Sequence, residues 1–184
     1  MPKPFVQNNI HQRIWNMKTR PEDIWIVSYP KSGTTMCQEL LWQMSTGCNV
    51  TSEESKINLN ERCPFIDFGG MTKQCQCEGC GKLPKRPPFF HDPISYGETL
   101  NNPRILKSHL PLSMLPPDVL EVSKVIVIAR NVKDVCVSYY YHEKLLKVHG
   151  LDSSVSFEEY ALSFMDGKPG GYGDYWVHLK VYRN

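Results

Sequence analysis

Three short stretches of the chain have the pattern of strands. They are residues 23–29 with IWIV at the centre, residues 104–111 with the sequence RILKSHLP, and residues 124–129 with the sequence KVIVIA. The first and the third are apolar runs, which are typical of strands in a parallel sheet, because such a sheet is covered on both faces. The pattern therefore predicts three strands, of which the first and the third are buried and residues 124–129 are the clearest.

Helical spacing follows the first and the third of these runs. From Thr34 onward the apolar residues recur every three or four positions. These positions are Met36, Leu40, Leu41 and Met44. Gly47 is suited to end this helix, because glycine readily adopts the conformation found just after a helix. Behind the third run, Asn131 and Asp134 form an N-cap pair that predicts a second helix.

Two further helices are predicted closer to the end of the printed sequence. Ser156 and Glu159 have the spacing of a capping box, and the helix that they open stops at Gly167. After the glycine-rich GKPGGYG, the segment DYWVHLKVY begins another amphipathic helix. Strands that alternate with helices predict an α/β fold, a parallel sheet flanked by helices, with ligands at the carboxyl ends of the strands.

Length and composition fit a single globular domain over residues 1–184. A chain of 184 residues with 41% hydrophobic content can bury a core. The sequence shows no internal repeat and no low-complexity linker. Within the domain, residues 1–20 are polar and are predicted to be irregular. Residues 48–103 show few clear periods and are predicted to form a loop-rich insertion region of loops and short helices.

The bulk properties narrow the class of protein. A net charge of +2 gives no general basis for binding nucleic acid, so any anion site must be local. No segment reaches the roughly 20 apolar residues of a membrane span. The N-terminal segment has no signal-peptide core, so a cytoplasmic location is expected. Of the seven cysteines, Cys37 and Cys136 lie inside apolar segments, which favours reduced, packed thiols over a disulfide framework.

The junction between the first strand and its helix has the composition of an anion cradle. Its loop consists of Lys31, Ser32, Gly33, Thr34 and Thr35, which we call the 31–35 loop. The first backbone N–H groups of the helix are free to bind an anion, glycine permits close approach, and the hydroxyls and the lysine add donors. The alternative is a capped helix after a tight turn with the lysine in solvent. Five suitable consecutive residues favour the anion site.

The junction after the third strand repeats this arrangement. Arg130 ends the strand and can make bidentate contacts to phosphate, and Asn131 opens a helix whose amino end again favours an anion. Ser138 lies four residues after Asp134, so the two share a helical face. The alternative, which the sequence leaves open, is that Arg130 simply pairs with Asp134.

Between these junctions lies LKSHLP, with Lys107 and His109 two positions apart. Residues at this spacing in a strand point to the same side, so both can face one cleft. His109 can accept a proton near neutral pH, and Lys107 can stabilise developing negative charge.

Together these stretches resemble the cytosolic sulfotransferase family. YPKSGTT resembles its 5′-phosphosulfate loop, RNVKDVCVSYY its 3′-phosphate segment, and LKSHLP the strand that bears its catalytic histidine. The sequences RPEDIWIVSYP, LPLSMLPP and YGDYWVH also resemble family connecting segments. The resemblance implies a P-loop-NTPase-like sulfotransferase fold. It also implies transfer of a sulfuryl group from 3′-phosphoadenosine 5′-phosphosulfate to a hydroxyl or amine of a small acceptor.

The resemblance also implies where the donor lies. The 31–35 loop would hold the 5′-phosphosulfate, and Arg130 with Ser138 would hold the 3′-phosphate. Met36 stands where the family usually has a tryptophan that stacks on the adenine. Methionine can cover a ring face, but with poorer geometry.

The catalytic roles follow from the same resemblance. His109 would act as the general base on the acceptor. Lys31 and Lys107 would neutralise charge on the transferring group and on the leaving phosphate. Positioning and electrostatics carry most of the catalysis of such a transfer, so no metal is required.

The sequence departs from the family in length. Family members continue beyond the last predicted helix with an Arg-Lys-Gly motif and a dimerisation segment, and no RKG occurs here. We therefore expect a sulfotransferase fold that is incomplete at its C-terminus, in which homodimers are possible without the usual segment. Weak or absent turnover by this chain alone is expected, because charge-assisted phosphate contacts of about 1.5–3 kcal/mol each are missing.

A cysteine cluster raises the question of a metal. Cys75, Cys77 and Cys80 lie close together, and Cys63 or His91 could supply a fourth ligand. Only the second and third cysteines of the cluster have the C-x₂-C spacing usual for zinc. The favoured interpretation is an exposed, reduced loop insertion without metal, and zinc is the alternative.

Two other functions compete with sulfuryl transfer. One is a P-loop-type kinase, although the pattern GxxxxGK[ST] is absent and the IVIA strand ends in arginine rather than in an acidic magnesium ligand. The other is a protein that binds the nucleotide without catalysis.

Overall fold

A three-stranded parallel sheet forms the centre of the chain in a computed structural model that describes residues 9–68, 87–146, 154–168 and 172–181. In chain order the strands are β1 (Ile24–Ser28), β2 (Ile105–Ser108) and β3 (Lys124–Ile128). β1 lies in the middle, and pairs with β2 on one side and with β3 on the other. The predicted α/β fold with a parallel sheet is confirmed, and each strand lies inside one of the three predicted stretches. The prediction that β3 is the clearest buried strand is wrong, because β3 lies at the edge of the described sheet and is partly exposed, with Val127 41% exposed.

Helices precede, connect and follow the strands. In chain order they are α1 (Ile10–Trp15), α2 (Thr34–Ser45), α3 (Leu59–Arg62), α4 (Pro88–His91), α5 (Pro93–Thr99), α6 (Val119–Val122), α7 (Val132–Leu146), α8 (Phe157–Met165) and α9 (Tyr175–Lys180). Short 3₁₀ turns lie at Glu54–Lys56 and Leu112–Met114. Of these elements, α3 to α5 and the first 3₁₀ turn lie in the region 48–103.

The longer helices begin where the sequence predicts. α8 carries the predicted capping box, in which Ser156 Oγ accepts from the Glu159 backbone N–H and the Glu159 carboxylate accepts from the Ser156 N–H. At the start of α7, Asn131 Oδ1 accepts a hydrogen bond from the Lys133 N–H at 2.9 Å. These local bonds satisfy backbone donors that have no partner within the helix.

Residues 1–20, which the sequence predicts to be irregular, contain the short helix α1. α1 buries Ile10 and Ile14, which lie four positions apart on one helical face. One turn of apolar spacing among polar residues is too short to reveal a helix from the sequence. The pair packs into the same core cluster as Trp25 of β1, so tertiary packing stabilises the helix.

The core lies on both faces of the sheet. Trp25 and Val27 belong to a cluster on one face, and Ile26 packs on the other face with Ile105 and the inner side of α2. Just beyond β1, Tyr29 joins a third, aromatic cluster with side chains of α7, α8 and α9. The carboxyl edge of β1 is therefore held in place by packing from three helices.

A buried ion pair lies at the opposite end of the sheet. Arg104 Nε donates to Asp23 Oδ1 at 2.7 Å and Arg104 Nη2 donates to Asp23 Oδ2 at 2.5 Å, and neither side chain is exposed. The guanidinium also donates to the carbonyl oxygens of Gly97 and Lys18. These bonds join the starts of β1 and β2 to the segments that precede them.

Neither a membrane-spanning helix nor a disulfide is found among the described residues. None of the helices in the described part of the chain has the length and apolar character needed to cross a bilayer. The four cysteines within the described ranges are free thiols, of which Cys63 and Cys136 are buried and Cys37 is half-buried. Reduced thiols packed in apolar surroundings agree with the sequence pattern.

Candidate active site

The three stretches predicted to bear the site meet at the carboxyl edge of the sheet. The 31–35 loop follows β1, His109 directly follows β2, and Arg130 follows β3. Arg130 Nη1 donates a hydrogen bond to the Lys31 carbonyl oxygen at 3.1 Å, which joins the first junction to the third. The His109 ring lies 2.8 Å from the Ser28 carbonyl oxygen, which joins the second junction to the first.

The 31–35 loop turns through two left-handed residues. Lys31 has a φ of 69° and Gly33 has a φ of 104°. At Gly33 an added Cβ would meet nothing within 4 Å, so glycine is favoured there by backbone conformation rather than by lack of space. This turn places the amino end of α2 toward the cleft, and Thr34 Oγ1 is fixed there by a 2.6 Å hydrogen bond with Ser28 Oγ.

Ser32 carries an unsatisfied hydroxyl in this loop. Its Oγ atom is buried and has no hydrogen-bond partner among the described residues. A buried hydroxyl without a partner is unfavourable by about 1–3 kcal/mol. An anion with free acceptor oxygens in the loop would supply the missing partner, so the loop chemistry fits a phosphosulfate.

Lys31 is positioned by α7 as well as by its own loop. Its Nζ atom lies 3.3 Å from His142 Nδ1. Burial, and then the nearby charge of Arg130, lower the pKa of Lys31 below its usual value. Two cations held close together repel each other, and a bound phosphate or sulfate would relieve this repulsion.

Arg130 forms a weak ion pair with Asp134. Its Nε atom is 3.8 Å from Asp134 Oδ2, and both side chains are about half exposed. An exposed pair at this distance contributes about 0–1 kcal/mol, so it competes poorly with a phosphate. The Arg130 carbonyl oxygen accepts a hydrogen bond from the Tyr175 hydroxyl, which fixes the backbone. Ser138 is partly buried on α7, two turns further along.

Lys107 and His109 face the same side, as their spacing predicts. The Lys107 Nζ atom lies 4.5 Å from the centre of the Phe65 ring, and the His109 ring centre lies 5.0 Å from the same ring. Burial, opposed by the charge of Asp67 and assisted by that of Lys31, lowers the pKa of Lys107 to about 8. Lys107 therefore remains largely protonated at neutral pH.

The hydrogen bonds of His109 determine its tautomer. A carbonyl oxygen can only accept, so Nδ1 carries the proton that it donates to Ser28. The Nε2 atom is then left with a lone pair. Burial, and next the charge of Lys107, lower the pKa of His109 well below its usual value, so the ring is neutral at pH 7. A neutral imidazole with a free lone pair can act as a general base.

Sequence reasoning missed Asp67, a buried carboxylate beneath this site. Its Oδ1 accepts from Ser108 Oγ at 2.7 Å and its Oδ2 accepts from the His109 backbone N–H at 2.5 Å. Tyr172 adds a third hydrogen bond through its hydroxyl. Burial raises the pKa of Asp67 to about 7, against the opposing effect of these bonds. No local pattern identifies Asp67, because it lies in the region 48–103.

His178 on α9 was also missed. Its ring donates to the backbone carbonyl of Ser28, the same group that His109 contacts. Burial lowers the pKa of His178 to about 4, and the bond to Ser28 opposes this shift. The helix that carries His178 was predicted, but its contact with β1 depends on tertiary packing.

The buried histidine predicts a pH dependence of stability. Because the folded protein lowers the pKa of His178 below that of the unfolded chain, its contribution is present above pH 6.5 and is lost as pH falls toward 4. Substituting His178→Gln should therefore reduce the loss of unfolding free energy between pH 7 and pH 5 by about 2 kcal/mol. Urea unfolding followed by circular dichroism at the two pH values measures this difference. Equal pH dependence in both proteins would contradict it.

Of the residues of the alternative zinc site, the structure describes Cys63 and His91. Cys75, Cys77 and Cys80 lie outside the described residues. Cys63 is buried in a core cluster with Ile26, and burial raises the pKa of its thiol to about 12, which disfavours the thiolate that zinc binds. Within the described ranges, no group of three or more histidine, cysteine or acidic residues could hold a metal ion.

Comparison with known proteins agrees with this geometry. The sulfotransferase domain matches residues 21–184. Human sulfotransferase 4A1 is 34% identical over 180 residues, which are 97% of this chain and 54% of the relative. Firefly (Photinus pyralis) luciferin sulfotransferase is 32% identical over 178 residues, which are 93% of this chain and 45% of the relative.

A solved structure supports the same assignment. The crystal structure of retinol dehydratase in complex with retinol and PAP has a TM-score of 0.78 and 28% identity, over 97% of this chain and 55% of that chain. This chain thus spans about half the length of the curated relatives that it matches. With the domain match over residues 21–184, the chain belongs to the sulfotransferase family.

Proposed function

We propose that the chain binds 3′-phosphoadenosine 5′-phosphosulfate and transfers its sulfuryl group to a hydroxyl or amine of a small acceptor. The observation that carries this proposal is the double role of Ser28. Its hydroxyl bonds Thr34 of the 31–35 loop, and its carbonyl fixes the His109 ring. One residue at the end of β1 thus contacts both the proposed anion-binding loop and the neutral histidine ring that would act as the base.

The donor would be held at both of its phosphate ends. The 31–35 loop would bind the 5′-phosphosulfate through the amino end of α2, the Ser32 hydroxyl and the Lys31 ammonium. Arg130 and Ser138 would bind the 3′-phosphate, and the bond from Arg130 to the Lys31 carbonyl couples the two ends. Met36 is exposed at the start of α2, where it is free to cover the adenine.

The transfer would use three side chains. His109 Nε2 takes the proton from the acceptor hydroxyl or amine while that atom forms a bond to sulfur. The bond from sulfur to the bridging phosphate oxygen breaks, and the 5′-phosphate of the product leaves with the negative charge. Lys31 and Lys107 stabilise this charge, and Lys107 acts more strongly than it would in water because it is nearly buried.

The surroundings of His109 favour an apolar acceptor. Phe65 lies edge-on to the histidine ring. Phe68 and Phe90 continue this aromatic surface, with ring centres 6.1 Å apart between Phe65 and Phe68 and 5.2 Å apart between Phe68 and Phe90. The related retinol dehydratase has been solved with retinol and, in a second structure, with androsterone. An apolar alcohol or phenol is the acceptor class that these aromatic rings would accommodate.

Nucleotide binding without catalysis is the second candidate function. It requires the two anion junctions but no general base. Because the chain spans about half the length of its relatives, the transfer itself is proposed rather than inherited from them. A cytoplasmic location and a possible homodimer remain parts of the proposal that rest on the family resemblance. A kinase is disfavoured by the family assignment.

Calorimetric titration with PAP, 3′-phosphoadenosine 5′-phosphate, tests the donor site. Arg130→Ala should weaken binding by about 10- to 150-fold, which corresponds to the loss of one charge-assisted bond of about 1.5–3 kcal/mol. Lys124→Ala is the matched control, because Lys124 is an exposed cation at the opposite end of β3. It should bind PAP like the wild type.

Each outcome of this titration is decisive. Absence of PAP binding, or equal weakening by Lys124→Ala, would contradict the donor site. Stronger binding of ATP with Mg²⁺ would favour the kinase. Binding of PAP without transfer of sulfate to a phenol would favour the non-catalytic candidate.

A further inference from the structure

A short segment outside the sheet continues the strand pairing of β2. The Ile66 N–H donates to the Lys107 carbonyl at 2.9 Å, and the Lys107 N–H donates to the Pro64 carbonyl at 2.9 Å. Phe65 thereby forms a parallel bridge with Lys107. This pairing fixes the residue that follows, Asp67, beside the carboxyl end of β2.

The Asp67 carboxylate accepts three hydrogen bonds and is entirely buried. One oxygen binds the Ser108 hydroxyl, the other binds the His109 backbone N–H, and Tyr172 donates its hydroxyl to the same carboxylate. The Tyr172 ring also lies edge-on to the His109 ring, with centres 5.6 Å apart. Asp67 therefore holds the backbone of His109 directly, and its partner Tyr172 packs against the His109 ring.

A buried carboxylate is an energetically unfavourable group for a purely structural anchor at this place. Burying an ion is costly unless a nearby charge compensates it. The compensating charge is Lys107, itself nearly buried with its ammonium over the Phe65 ring. The other charged or titratable groups that act on Lys107 and His109 are Lys31 and His178, and both disfavour additional positive charge.

We propose that Asp67 is a positioning residue of the active site, which anchors the backbone of His109 and keeps the adjacent Lys107 ammonium protonated. This role rests on the proposed function, because it matters for transfer only if His109 and Lys107 face the reacting groups. The physical coupling between Asp67 and Lys107 can nevertheless be measured without donor or acceptor.

The sign of the coupling is fixed by electrostatics. Lys107 is charged below its pKa, and Asp67 raises the pKa of Lys107. Removing the carboxylate should therefore make Lys107 lose its proton at lower pH. If transfer is measured as well, the alkaline limb of its pH profile should move in the same direction.

The test is an NMR titration of the Lys107 side chain in the purified 184-residue protein with ¹³C-labelled lysine. The Lys107 signal is assigned with Lys107→Arg. In Asp67→Asn the midpoint should fall by about 1–3 pH units, the range expected for loss of a neighbouring opposite charge. Asp67→Glu should restore most of the shift. Asp118→Asn, which removes a carboxylate bonded to Thr19, is the control and should leave the midpoint unchanged.

An unchanged Lys107 midpoint in folded Asp67→Asn would overturn the proposal. If that variant does not fold, the wild-type titration decides. Its Lys107 curve should contain an inflection near pH 7 as Asp67 ionises, since burial raises the pKa of Asp67 to about 7, and a curve without that inflection would also overturn the proposal. Failure of PAP binding would refute the proposed function but would leave this titration unaffected, so the two failures are distinguishable.

Discussion

Replacing His109 with glutamine is expected to reduce sulfuryl transfer by about 10²–10⁴-fold, the usual contribution of a general base. Glutamine fills a similar volume, and its amide can still donate to the Ser28 carbonyl. It cannot supply the basic lone pair that Nε2 presents. Affinity for PAP should therefore change little. Single-turnover transfer from ³⁵S-labelled donor to a phenol, with calorimetry of PAP binding, measures both quantities.

His91→Gln provides the matched control for this substitution. His91 is exposed on α4, outside the set of residues that we assign to the site, and its replacement should leave transfer unchanged. Equal transfer by His109→Gln and the wild type would contradict the role of His109 as base. A large loss of PAP affinity in His109→Gln would instead assign the histidine to donor binding.

The protonation state of His109 offers a check that does not depend on turnover. Burial and the charge of Lys107 lower the pKa of His109 well below its usual value, so the ring should remain neutral between pH 6.5 and 8. Side-chain ¹⁵N NMR should show a single tautomer with the proton on Nδ1. Protonation of the ring above pH 6.5 would contradict the buried environment.

The sheet and the two anion junctions could be predicted because their signals are local. The first and third strands are apolar runs, and the 31–35 loop and Arg130 come directly after them. In a parallel sheet these ends must lie at one edge, so the shared edge of the 31–35 loop and Arg130 could be predicted, whereas their adjacency depends on β1 and β3 being neighbours. The spacing of Lys107 and His109 likewise predicted their shared side.

Asp67 and His178 could not be predicted because their contacts are not local. Asp67 reaches His109 through backbone pairing between residues 64–67 and β2, which are about forty positions apart in the chain. His178 reaches Ser28 only once α9 has packed against Tyr29. The sequence shows a carboxylate in an irregular region and a histidine on a helix, and neither pattern distinguishes a site residue from a surface residue.

Arg104 illustrates the same limit in the core. From sequence it is only the first residue of the second predicted strand. In the structure it forms a bidentate pair with Asp23, fully buried between the starts of β1 and β2. The pairing depends on β1 and β2 being neighbours, which is a property of the fold and not of either segment.

Replacing Asp23 with leucine is expected to destabilise the protein by about 3–5 kcal/mol, because it leaves the Arg104 guanidinium buried without its counter-charge. The bonds from Arg104 to the Gly97 and Lys18 carbonyls would remain, but carbonyl oxygens do not neutralise a full charge. The effect should appear as a lower urea midpoint with an unchanged slope, followed by circular dichroism at pH 7.

The double variant Asp23→Leu with Arg104→Met separates the cost of an unpaired charge from the value of the pair itself. Replacing both partners removes the buried charge, so much of the lost stability should return. Glu53→Gln is the matched control for an exposed pair, since Glu53 and Lys56 are both largely in solvent, and it should change the unfolding free energy by less than about 1 kcal/mol. If the double variant were as unstable as Asp23→Leu, the ion pair would contribute its own net stability. The stability of this end of the sheet would then depend on the hydrogen bonds that join the two strands to their flanking segments.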